Sequence, residues 1–195
     1  MADNGSTDPK MHELYAEFEQ QLPGRFFVES IDIPFNFSTI NNRAAKKAHG
    51  EYLLFLNNDT EVITENWLTL MVSFAQQERI GCVGAKLLYP NNTVQHAGVI
   101  LGLGGVAGHG HYGYPHGDLG YFGRLAINVN YSAVTAACLL MKKADFDAVG
   151  GFEEAFTVAF NDVDLCLKVQ ALGRDNVWLH KACLLYTSDA ADDMQ

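Results

Sequence analysis

Three polar side chains directly follow an apolar run in the first third of the chain. The run is Leu53–Leu56, and Asn57, Asn58 and Asp59 come after it. In open α/β sheets ligands bind outside the carboxyl ends of the strands, where oxygen ligands suit a hard cation that carries phosphates. The pattern therefore predicts a metal ligand at Asp59. A turn that caps the next element explains the same three residues equally well.

Two further carboxylates, Asp162 and Asp164, begin a predicted helix whose other face is apolar. The helix dipole favours acidic residues in a first turn, which is enough to explain one of them. The preceding apolar stretch Phe156–Phe160 would place Asp162 in a partly dry setting, where a carboxylate can act as a general base. Asp162 is therefore either a catalytic base or a residue that only supports the helix start.

The other polar clusters favour structural roles. A zinc site needs three or four converging ligands, often at short fixed spacing, and the histidines do not meet this requirement. We therefore interpret them as loop residues, with a zinc site as the alternative; they are His96, His109, His111 and His116. Residues 3–8 read Asp-Asn-Gly-Ser-Thr-Asp, which is typical of a polar turn before a helix.

The composition limits the classes of protein to consider. With 195 residues, 48% of them hydrophobic, the chain is long enough for one domain with a substantial core. A formal net charge of −10 without a Lys/Arg-rich patch argues against nucleic acid as a partner. The four cysteines are widely spaced and are predicted to be buried thiols. Neither a membrane span nor a signal sequence is recognisable, so the chain is predicted to be cytosolic.

The order of predicted elements indicates an α/β fold. End signals predict a helix capped by Thr64 and a helix that is capped by Ser38 and runs through Ala48. Apolar periodicity predicts the helices Met11–Leu22, Ala144–Val149 and Asp162–Leu172. Apolar runs predict the strands Phe26–Val28, Tyr52–Leu56, Cys82–Leu88, Val134–Met141 and Asn176–Leu179. Their alternation is typical of a largely parallel sheet, in which Tyr52–Leu56 would be a buried parallel strand. Glycine recurs from Gly98 to Gly123 too often for regular structure over much of that segment.

Several motifs in a fixed order resemble those of family 2 glycosyltransferases with the GT-A fold. They are Asp3-Asn4-Gly5-Ser6-Thr7-Asp8, Phe35-Asn36-Phe37-Ser38, Ile40-Asn41-Asn42, the stretch from Glu51-Tyr52 through Asp59-Thr60-Glu61, Val83-Gly84-Ala85-Lys86-Leu87, Gln95-His96-Ala97-Gly98, Gly150-Gly151-Phe152 and Asn161-Asp162-Val163-Asp164. Together they are far more specific than any one motif, and they extend over about residues 3 to 182. The resemblance implies an α/β fold with a mixed, mostly parallel sheet flanked by helices.

The resemblance also implies roles for individual residues. In such enzymes an aspartate of the Asp-Asn-Gly-Ser turn contacts the nucleotide base, and that residue is Asp3 here. The metal motif of the family falls on residues 57–59, so Asp59 and Asn57 are expected to bind Mg²⁺ or Mn²⁺. Asp162 is expected to be the catalytic base. The residues expected to contact the nucleotide sugar or the acceptor are Asp3, Asn42, Asn58 and Thr135.

The function that the resemblance implies is sugar transfer with inversion, from a nucleotide-diphosphate sugar to an acceptor hydroxyl, in the synthesis of cell-surface polysaccharide. Asp162 would take the proton from the acceptor hydroxyl, while the metal offsets charge on the diphosphate leaving group. The acceptor is expected to be a glycan or a lipid-linked molecule. The enzyme is expected to work in the cytoplasm at the inner face of the membrane, with peripheral association through regions outside this chain.

Both ends of the chain depart from the family pattern. The family begins with a strand ahead of the Asp-Asn-Gly-Ser turn, and this first strand is expected to be missing. It also supplies a late histidine that often completes the metal shell, and His180 is too close to the predicted strand end to replace it. Residues 1–183 are predicted to be a partial single domain and residues 184–195 a non-native tail. We expect the chain alone to have little or no transferase activity.

Two other functions would use the same residues. A metal-dependent phosphohydrolase or nucleotidyltransferase would also rely on Asp59 and Asp162. An inactive nucleotide- or carbohydrate-binding module would tolerate the loss of Asp162. Release of free phosphate, as opposed to transfer to an acceptor, separates the first of these from a glycosyltransferase.

Overall fold

The computed structural model describes residues 1–187, which form two compact units. The first unit consists of Met1–His49 and Phe152–Asn161, and the second consists of Gly50–Gly151 and the described residues from Asp162 onward. No helix in the described part of the chain is both long and apolar enough to cross a membrane. The single domain over residues 1–183 stays a prediction.

The first unit has two helices and a small parallel sheet. Its elements in chain order are β1 (Ala2–Asp3), α1 (Pro9–Gln21), β2 (Glu29–Ser30) and α2 (Phe37–Lys47). β1 pairs with β2 in parallel, so that Asp3 lies opposite Ser30. The helix predicted at Met11–Leu22 is confirmed as α1, which begins where the Asp8 side chain accepts the Lys10 N–H.

The helix α2 has a different cap from the predicted one. The Asn36 side chain accepts the Thr39 N–H at 3.0 Å and caps the helix. Ser38 lies inside the helix, where its hydroxyl donates to the Phe156 carbonyl at 2.7 Å. Asparagine and serine are equally good caps, so the sequence alone could not show that a tertiary contact would take Ser38.

The second unit contains the larger sheet and the other helices. In chain order its elements are β3 (Tyr52–Leu56), β4 (Thr60–Val62), α3 (Trp67–Ala75), β5 (Ile80–Leu88), β6 (Val94–His96), β7 (Val99–Leu101), β8 (Ala107–His109), β9 (Val129–Tyr131), β10 (Cys138–Lys142), α4 (Lys143–Ala148), α5 (Asn161–Ala171) and β11 (Asp175–Tyr186). The strand predicted at Tyr52–Leu56 has the observed bounds of β3. The strand predicted at Phe26–Val28 is wrong, since the strand of that region, β2, is Glu29–Ser30, the segment that pairs with β1.

The main sheet of the second unit is mixed. Its strands follow the order β3-β10-β5-β11-β4, with β6 added to β5 and β9 added to β11. β5 and β11 are parallel, and the other pairs of this sheet are antiparallel. β3 is antiparallel to β10 and its burial alternates along the strand. The buried parallel strand predicted at Tyr52–Leu56 is therefore wrong in its pairing, because β10, from much later in the chain, lies between β3 and β5.

The core of the second unit is built around β5, whose nine residues are all buried. Such a continuous buried run is typical of a central strand that is covered on both faces. Helix α3 contributes Trp67 and Met71 to this core, and β11 contributes Leu179. The predicted buried thiols are confirmed, since the free cysteines are all buried; they are Cys82, Cys138, Cys166 and Cys183.

The last strand continues beyond the predicted domain end at residue 183. Leu184 pairs with Leu87 of β5 and with Val62 of β4, and 1% of its surface is exposed. Residues 184–186 are therefore part of the sheet, with Leu184 in its core and Tyr186 packed against that core. Residues 188–195, which make up most of the predicted non-native tail, lie outside the described residues.

The glycine-rich segment has more regular structure than predicted. β7 and β8 form an antiparallel hairpin in which Val99 lies opposite His109. Gly98, just before this hairpin, has a φ of +89°, and a Cβ at this position would collide with the Tyr131 ring. Both the backbone conformation and the available space therefore require glycine where the chain passes from β6 to β7.

Candidate active site

The candidate catalytic and metal-binding residues of the second unit lie around residues 133–137, which lead into β10. The Asn57 N–H donates to the Ala137 carbonyl at 3.0 Å. One residue earlier, the Ala136 N–H donates to Oδ2 of Asp162 at 3.1 Å. The backbone groups of Ala136 and Ala137 thus form hydrogen bonds with the start of α5 and with the residue after β3.

Residues 57–59 form a turn after β3. The Thr60 hydroxyl donates to the Asn57 carbonyl at 2.8 Å, and the Asp59 carbonyl accepts the N–H and the hydroxyl of Thr187 at 2.7 and 2.9 Å. Asn57 and Asp59 are half-buried, and Asn58 is exposed. The turn uses carbonyl groups of the backbone, so it is compatible with a ligand role for the side chains.

The donor set at this turn fits a hard divalent cation. Among residues 1–187 no three His, Cys, Asp or Glu side chains cluster so that they could hold a metal ion by themselves. Mg²⁺ is usually bound through one or two carboxylates, several waters and the phosphates of a substrate, and Mn²⁺ also prefers oxygen ligands. The Asp59 carboxylate with the Asn57 amide oxygen matches this sparse pattern, in which the substrate supplies many of the ligands.

Backbone groups hold both oxygens of the Asp162 carboxylate. Oδ1 accepts the Val163 N–H at 2.8 Å, and Oδ2 accepts the Ala136 N–H at 3.1 Å. The side chain is half-buried in the first turn of α5. Because the two bonds fix the orientation of the carboxylate, Asp162 satisfies the demand that a general base be held in a defined position.

Asp164 has a different environment. Its Oδ2 lies 2.7 Å from Nζ of Lys168, one turn further along α5, in an i,i+4 ion pair. Residues i and i+2 of a helix point to different faces, so Asp162 and Asp164 cannot both reach one acceptor hydroxyl. The ion pair is compatible with a role of Asp164 in supporting the helix start, and that role stays a prediction.

We expect Asp164→Asn to reduce stability and to leave catalysis nearly intact. The change removes a negative charge from the first turn of α5 and breaks the ion pair with Lys168, which together contribute about 0.5–1 kcal/mol. Chemical denaturation should show this loss, while turnover should stay within about threefold of wild type. A catalytically dead Asp164→Asn variant that is still folded would contradict the assignment.

Thr135, which is predicted to contact substrate, is buried beside these groups. Its N–H nitrogen lies 3.3 Å from Nε2 of His96, and its hydroxyl accepts the Ala137 N–H at 3.3 Å. The side chain of Thr135 thus shapes the turn before β10. A contact between Thr135 and substrate stays a prediction.

In the first unit, Asp3 lies in the predicted polar turn. The N–H and the hydroxyl of Ser6 both donate to Oδ1 of Asp3, and the Tyr15 hydroxyl donates to the same oxygen at 3.4 Å. The Ser6 hydroxyl is the main cause that holds the pKa of Asp3 below its ordinary value, against the opposing effect of burial. Asp3 is 7% exposed and is ionised at neutral pH, so it is a nearly buried anion.

The side chain of Asn42 forms hydrogen bonds with the segment Phe152–Asn161 of the first unit. Its Oδ1 accepts the Phe152 N–H at 3.0 Å, and its Nδ2 donates to the Phe152 carbonyl at 2.9 Å. Nδ2 also lies 3.1 Å from Oε1 of Glu154. The oxygen and the nitrogen of the Asn42 amide therefore both bind residues of the segment Phe152–Asn161. The nucleotide contact of Asn42 stays a prediction.

Two of the histidines interpreted as loop residues lie in strands. His96 ends β6, His109 ends β8, and their Nδ1 atoms are 2.8 Å apart. The loop interpretation of these two is therefore wrong, because the β7–β8 hairpin brings together residues that are well separated in sequence. His180 lies within β11 and its Nδ1 is 2.8 Å from Oδ1 of Asn128.

A model of one protein family covers most of the chain. The model, described as glycosyl transferase family 2, matches residues 1–149. The chain belongs to glycosyl transferase family 2. The predicted family is thus confirmed.

Two curated relatives are similar to this family 2 chain over nearly all of its length. The uncharacterized protein y4gI of Sinorhizobium fredii is 50% identical over 192 residues, which cover 98% of this chain and 21% of the relative. The O-antigen biosynthesis protein RfbC of Myxococcus xanthus is 42% identical over 192 residues, which cover 98% of this chain and 15% of the relative. The chain therefore spans about a fifth or less of the length of these relatives.

Two solved glycosyltransferases share the fold of the family 2 chain. GalNAc-T7, solved with UDP, GalNAc and Mn²⁺, matches with a TM-score of 0.74 and 13% identity over 96% of this chain and 37% of its own. The mannosyltransferase PcManGT of Pyrobaculum calidifontis, in complex with GDP-Man and Mn²⁺, matches with a TM-score of 0.68 and 13% identity over 97% of this chain and 47% of its own. These likenesses confirm the predicted α/β fold of GT-A type.

Sequence reasoning about the family 2 chain missed the part that the backbone plays in the site. The Ala136 N–H orients Asp162, and the Ala137 carbonyl holds Asn57, yet alanine gives no chemical signal in a sequence. His96 did carry a signal, because it lies two residues before Gly98 in one of the motifs. Its partner Thr135 is far away in sequence, so the signal could not be interpreted without the fold.

Proposed function

We propose that this chain carries the reaction centre of an inverting glycosyltransferase, which moves a sugar from a nucleotide-diphosphate sugar to an acceptor hydroxyl. The observation that supports this most is the arrangement around residues 136–137. There the candidate base Asp162 and the candidate metal-binding turn after β3 are joined to adjacent backbone groups. A transferase needs the base and the metal close together, because the acceptor hydroxyl and the diphosphate leaving group lie on opposite sides of one sugar carbon.

In the proposed reaction Asp162 takes the proton from the acceptor hydroxyl while the hydroxyl oxygen attacks the anomeric carbon. The bond from that carbon to the diphosphate oxygen breaks in the same displacement. A single displacement from the opposite side inverts the anomeric configuration. The backbone bonds to both Asp162 oxygens would keep the carboxylate aimed at the acceptor, and a positioned base accelerates such a step by about 10²–10⁴-fold.

Asp59 and Asn57 would hold Mg²⁺ or Mn²⁺ at the end of β3. The cation would offset negative charge on the diphosphate as it leaves. The presence of Mn²⁺ in both solved relatives supports this assignment. Asn57 would contribute a neutral oxygen, so the carboxylate of Asp59 supplies the charge that attracts the cation.

The remaining site residues are proposed to bind the donor and the acceptor. Asp3, held as an anion by Ser6, would accept a hydrogen bond from an N–H of the nucleotide base. Asn42, Asn58 and Thr135 complete the proposed contacts with the nucleotide sugar or the acceptor. The solved relatives contain UDP and GDP-Man, which supports a nucleoside diphosphate sugar as the donor.

The proposed acceptor is a glycan or a lipid-linked molecule that is extended during the synthesis of surface polysaccharide. The name of the Myxococcus xanthus relative, an O-antigen biosynthesis protein, supports this setting. We place the reaction in the cytoplasm at the inner face of the membrane, with peripheral association through regions outside this chain. The net charge of −10 speaks against nucleic acid as a partner.

The proposal can be tested on the longest native reading frame that contains this chain. The protein is incubated with Mn²⁺ and UDP-GalNAc, UDP-glucose or GDP-mannose, and with p-nitrophenyl glycosides as acceptors. A glycosyltransferase should release UDP or GDP in step with a glycosylated product, and EDTA should abolish both. Cleavage of the donor to a nucleoside monophosphate and a sugar 1-phosphate without transfer would support a phosphohydrolase. Formation of a nucleoside triphosphate and a sugar 1-phosphate on addition of pyrophosphate would support a nucleotidyltransferase. Donor binding without turnover would support a binding module.

A further inference from the structure

The side chain of His96 is fully buried at the end of β6, with 0% of its surface exposed. Burying a polar ring is costly unless its nitrogens are hydrogen-bonded. Nε2 lies 3.3 Å from the backbone nitrogens of both Gly98 and Thr135, and Nδ1 lies 2.8 Å from Nδ1 of His109. Both ring nitrogens of His96 therefore have partners.

The two backbone amides determine where the proton of the ring is. Both approach Nε2 as donors, so Nε2 must be the acceptor and the neutral ring must carry its proton on Nδ1. Nδ1 then donates to Nδ1 of His109. Burial lowers the pKa of His96 well below its ordinary value, and the nearby His109 lowers it further, so the ring stays neutral.

The Thr135 amide belongs to the same short segment that orients Asp162. The Thr135 N–H goes to His96, and the next amide, that of Ala136, goes to Oδ2 of Asp162. The segment is also fixed at its start, where the Val99 N–H donates to the Ala133 carbonyl at 2.9 Å. The hydrogen bond from Thr135 to His96 is thus one peptide unit away from the hydrogen bond from Ala136 to the candidate base Asp162.

We propose that His96 is a positioning residue of the transfer reaction, which accepts the Thr135 N–H and thereby places the Ala136 amide that orients the Asp162 carboxylate. This inference rests on the function proposed above, in which Asp162 is the base. His96 acts through residues 133–137, without touching the reacting atoms. His109 has a supporting part, since its Nδ1 accepts the hydrogen bond from Nδ1–H of His96 and so favours the tautomer in which Nε2 carries no hydrogen.

A pair of similar substitutions separates this role from simple core packing. Glutamine can place an oxygen near the position of Nε2 and accept the Thr135 N–H, whereas asparagine reaches only the position of Nδ1. His96→Gln should therefore keep kcat within about threefold of wild type. His96→Asn should lower kcat by about 10–100-fold and leave the donor KM within about twofold, because a misplaced catalytic group mainly affects the chemical step.

The assays use the full native reading frame, Mn²⁺ and the donor that the wild type turns over among UDP-GalNAc, UDP-glucose and GDP-mannose. Thermal unfolding shows that each variant is folded. If His96→Gln and His96→Asn behave alike, the positioning role is refuted. Asp162→Asn is measured in parallel. If Asp162→Asn is inactive and His96→Asn is normal, only the inference fails, whereas a normal Asp162→Asn variant means that the proposed base itself is wrong.

A measurement on the wild type covers the case in which the variants do not fold. With ¹⁵N-labelled histidine, nitrogen NMR reports which ring nitrogen carries the proton. We expect one neutral ring with its proton on Nδ1 at neutral pH, and its signal should be perturbed in His109→Ala. A His96 ring that is charged, or that carries its proton on Nε2, would refute the inference, because it could not accept the Thr135 amide.

Discussion

Replacing Asp162 by asparagine is expected to lower the turnover number by roughly 10²–10⁴-fold, the usual contribution of a positioned base. The donor KM should change little, because the amide is nearly isosteric with the carboxylate and its oxygen can still accept the Ala136 N–H. The amide nitrogen cannot accept the Val163 N–H, so an unchanged donor KM is the sign that the loss is one of proton abstraction and not of architecture. Steady-state kinetics with a saturating acceptor would measure it, and calorimetry with the donor would show that binding persists.

The matched control for this experiment is Asp164→Asn, which removes a carboxylate from the same turn of α5. It lies two residues further on and is paired with Lys168, so it should retain nearly normal turnover. An inactive Asp164→Asn variant combined with a nearly normal Asp162→Asn variant would mean that Asp164 is the base and that Asp162 supports the helix start. If both variants keep their activity, neither carboxylate is the base.

Replacing Asp59 by alanine should abolish the metal-dependent part of donor binding. Asp59 is the carboxylate of the turn after β3, and a neutral Asn57 alone is a weak ligand for a hard cation. Calorimetric titrations with UDP-GalNAc, UDP-glucose and GDP-mannose, each with and without Mn²⁺, would show the effect. The wild type should bind one of these donors more tightly with Mn²⁺, and Asp59→Ala should show no such difference.

Two variants make this second prediction specific. Glu61→Ala removes an exposed carboxylate of β4, two residues away, and should leave the Mn²⁺ effect unchanged. Asp59→Asn keeps the shape of the side chain and tests whether the charge is needed. The bonds to Thr187 are made by the Asp59 carbonyl and persist in both Asp59 variants, and thermal unfolding shows whether each variant is folded. If donor affinity and its dependence on Mn²⁺ are unchanged in Asp59→Ala, Asp59 is not a metal ligand.

The local elements of this fold could largely be predicted because their signals are short in range. The apolar run Tyr52–Leu56 gave the bounds of β3, and the periodicity of Met11–Leu22 gave α1. The pairing of β3 could not be predicted in the same way. An apolar pattern shows that a residue lies in a strand, but β10 became the neighbour of β3 through contacts between distant parts of the chain.

In the candidate site, too, the sequence determined one part and the tertiary structure decided the other. The sequence by itself determined the residue types with chemical capacity, namely Asp59 after an apolar strand and Asp162 at a helix start. Only the tertiary structure decided what holds them, since Ala136 contributes a backbone amide that every residue but proline possesses. His96 shows the same limit, because its buried ring gains a function only where the fold sets the Thr135 amide against it. Backbone groups have no identity in a sequence, so their positions appear only when the chain has folded.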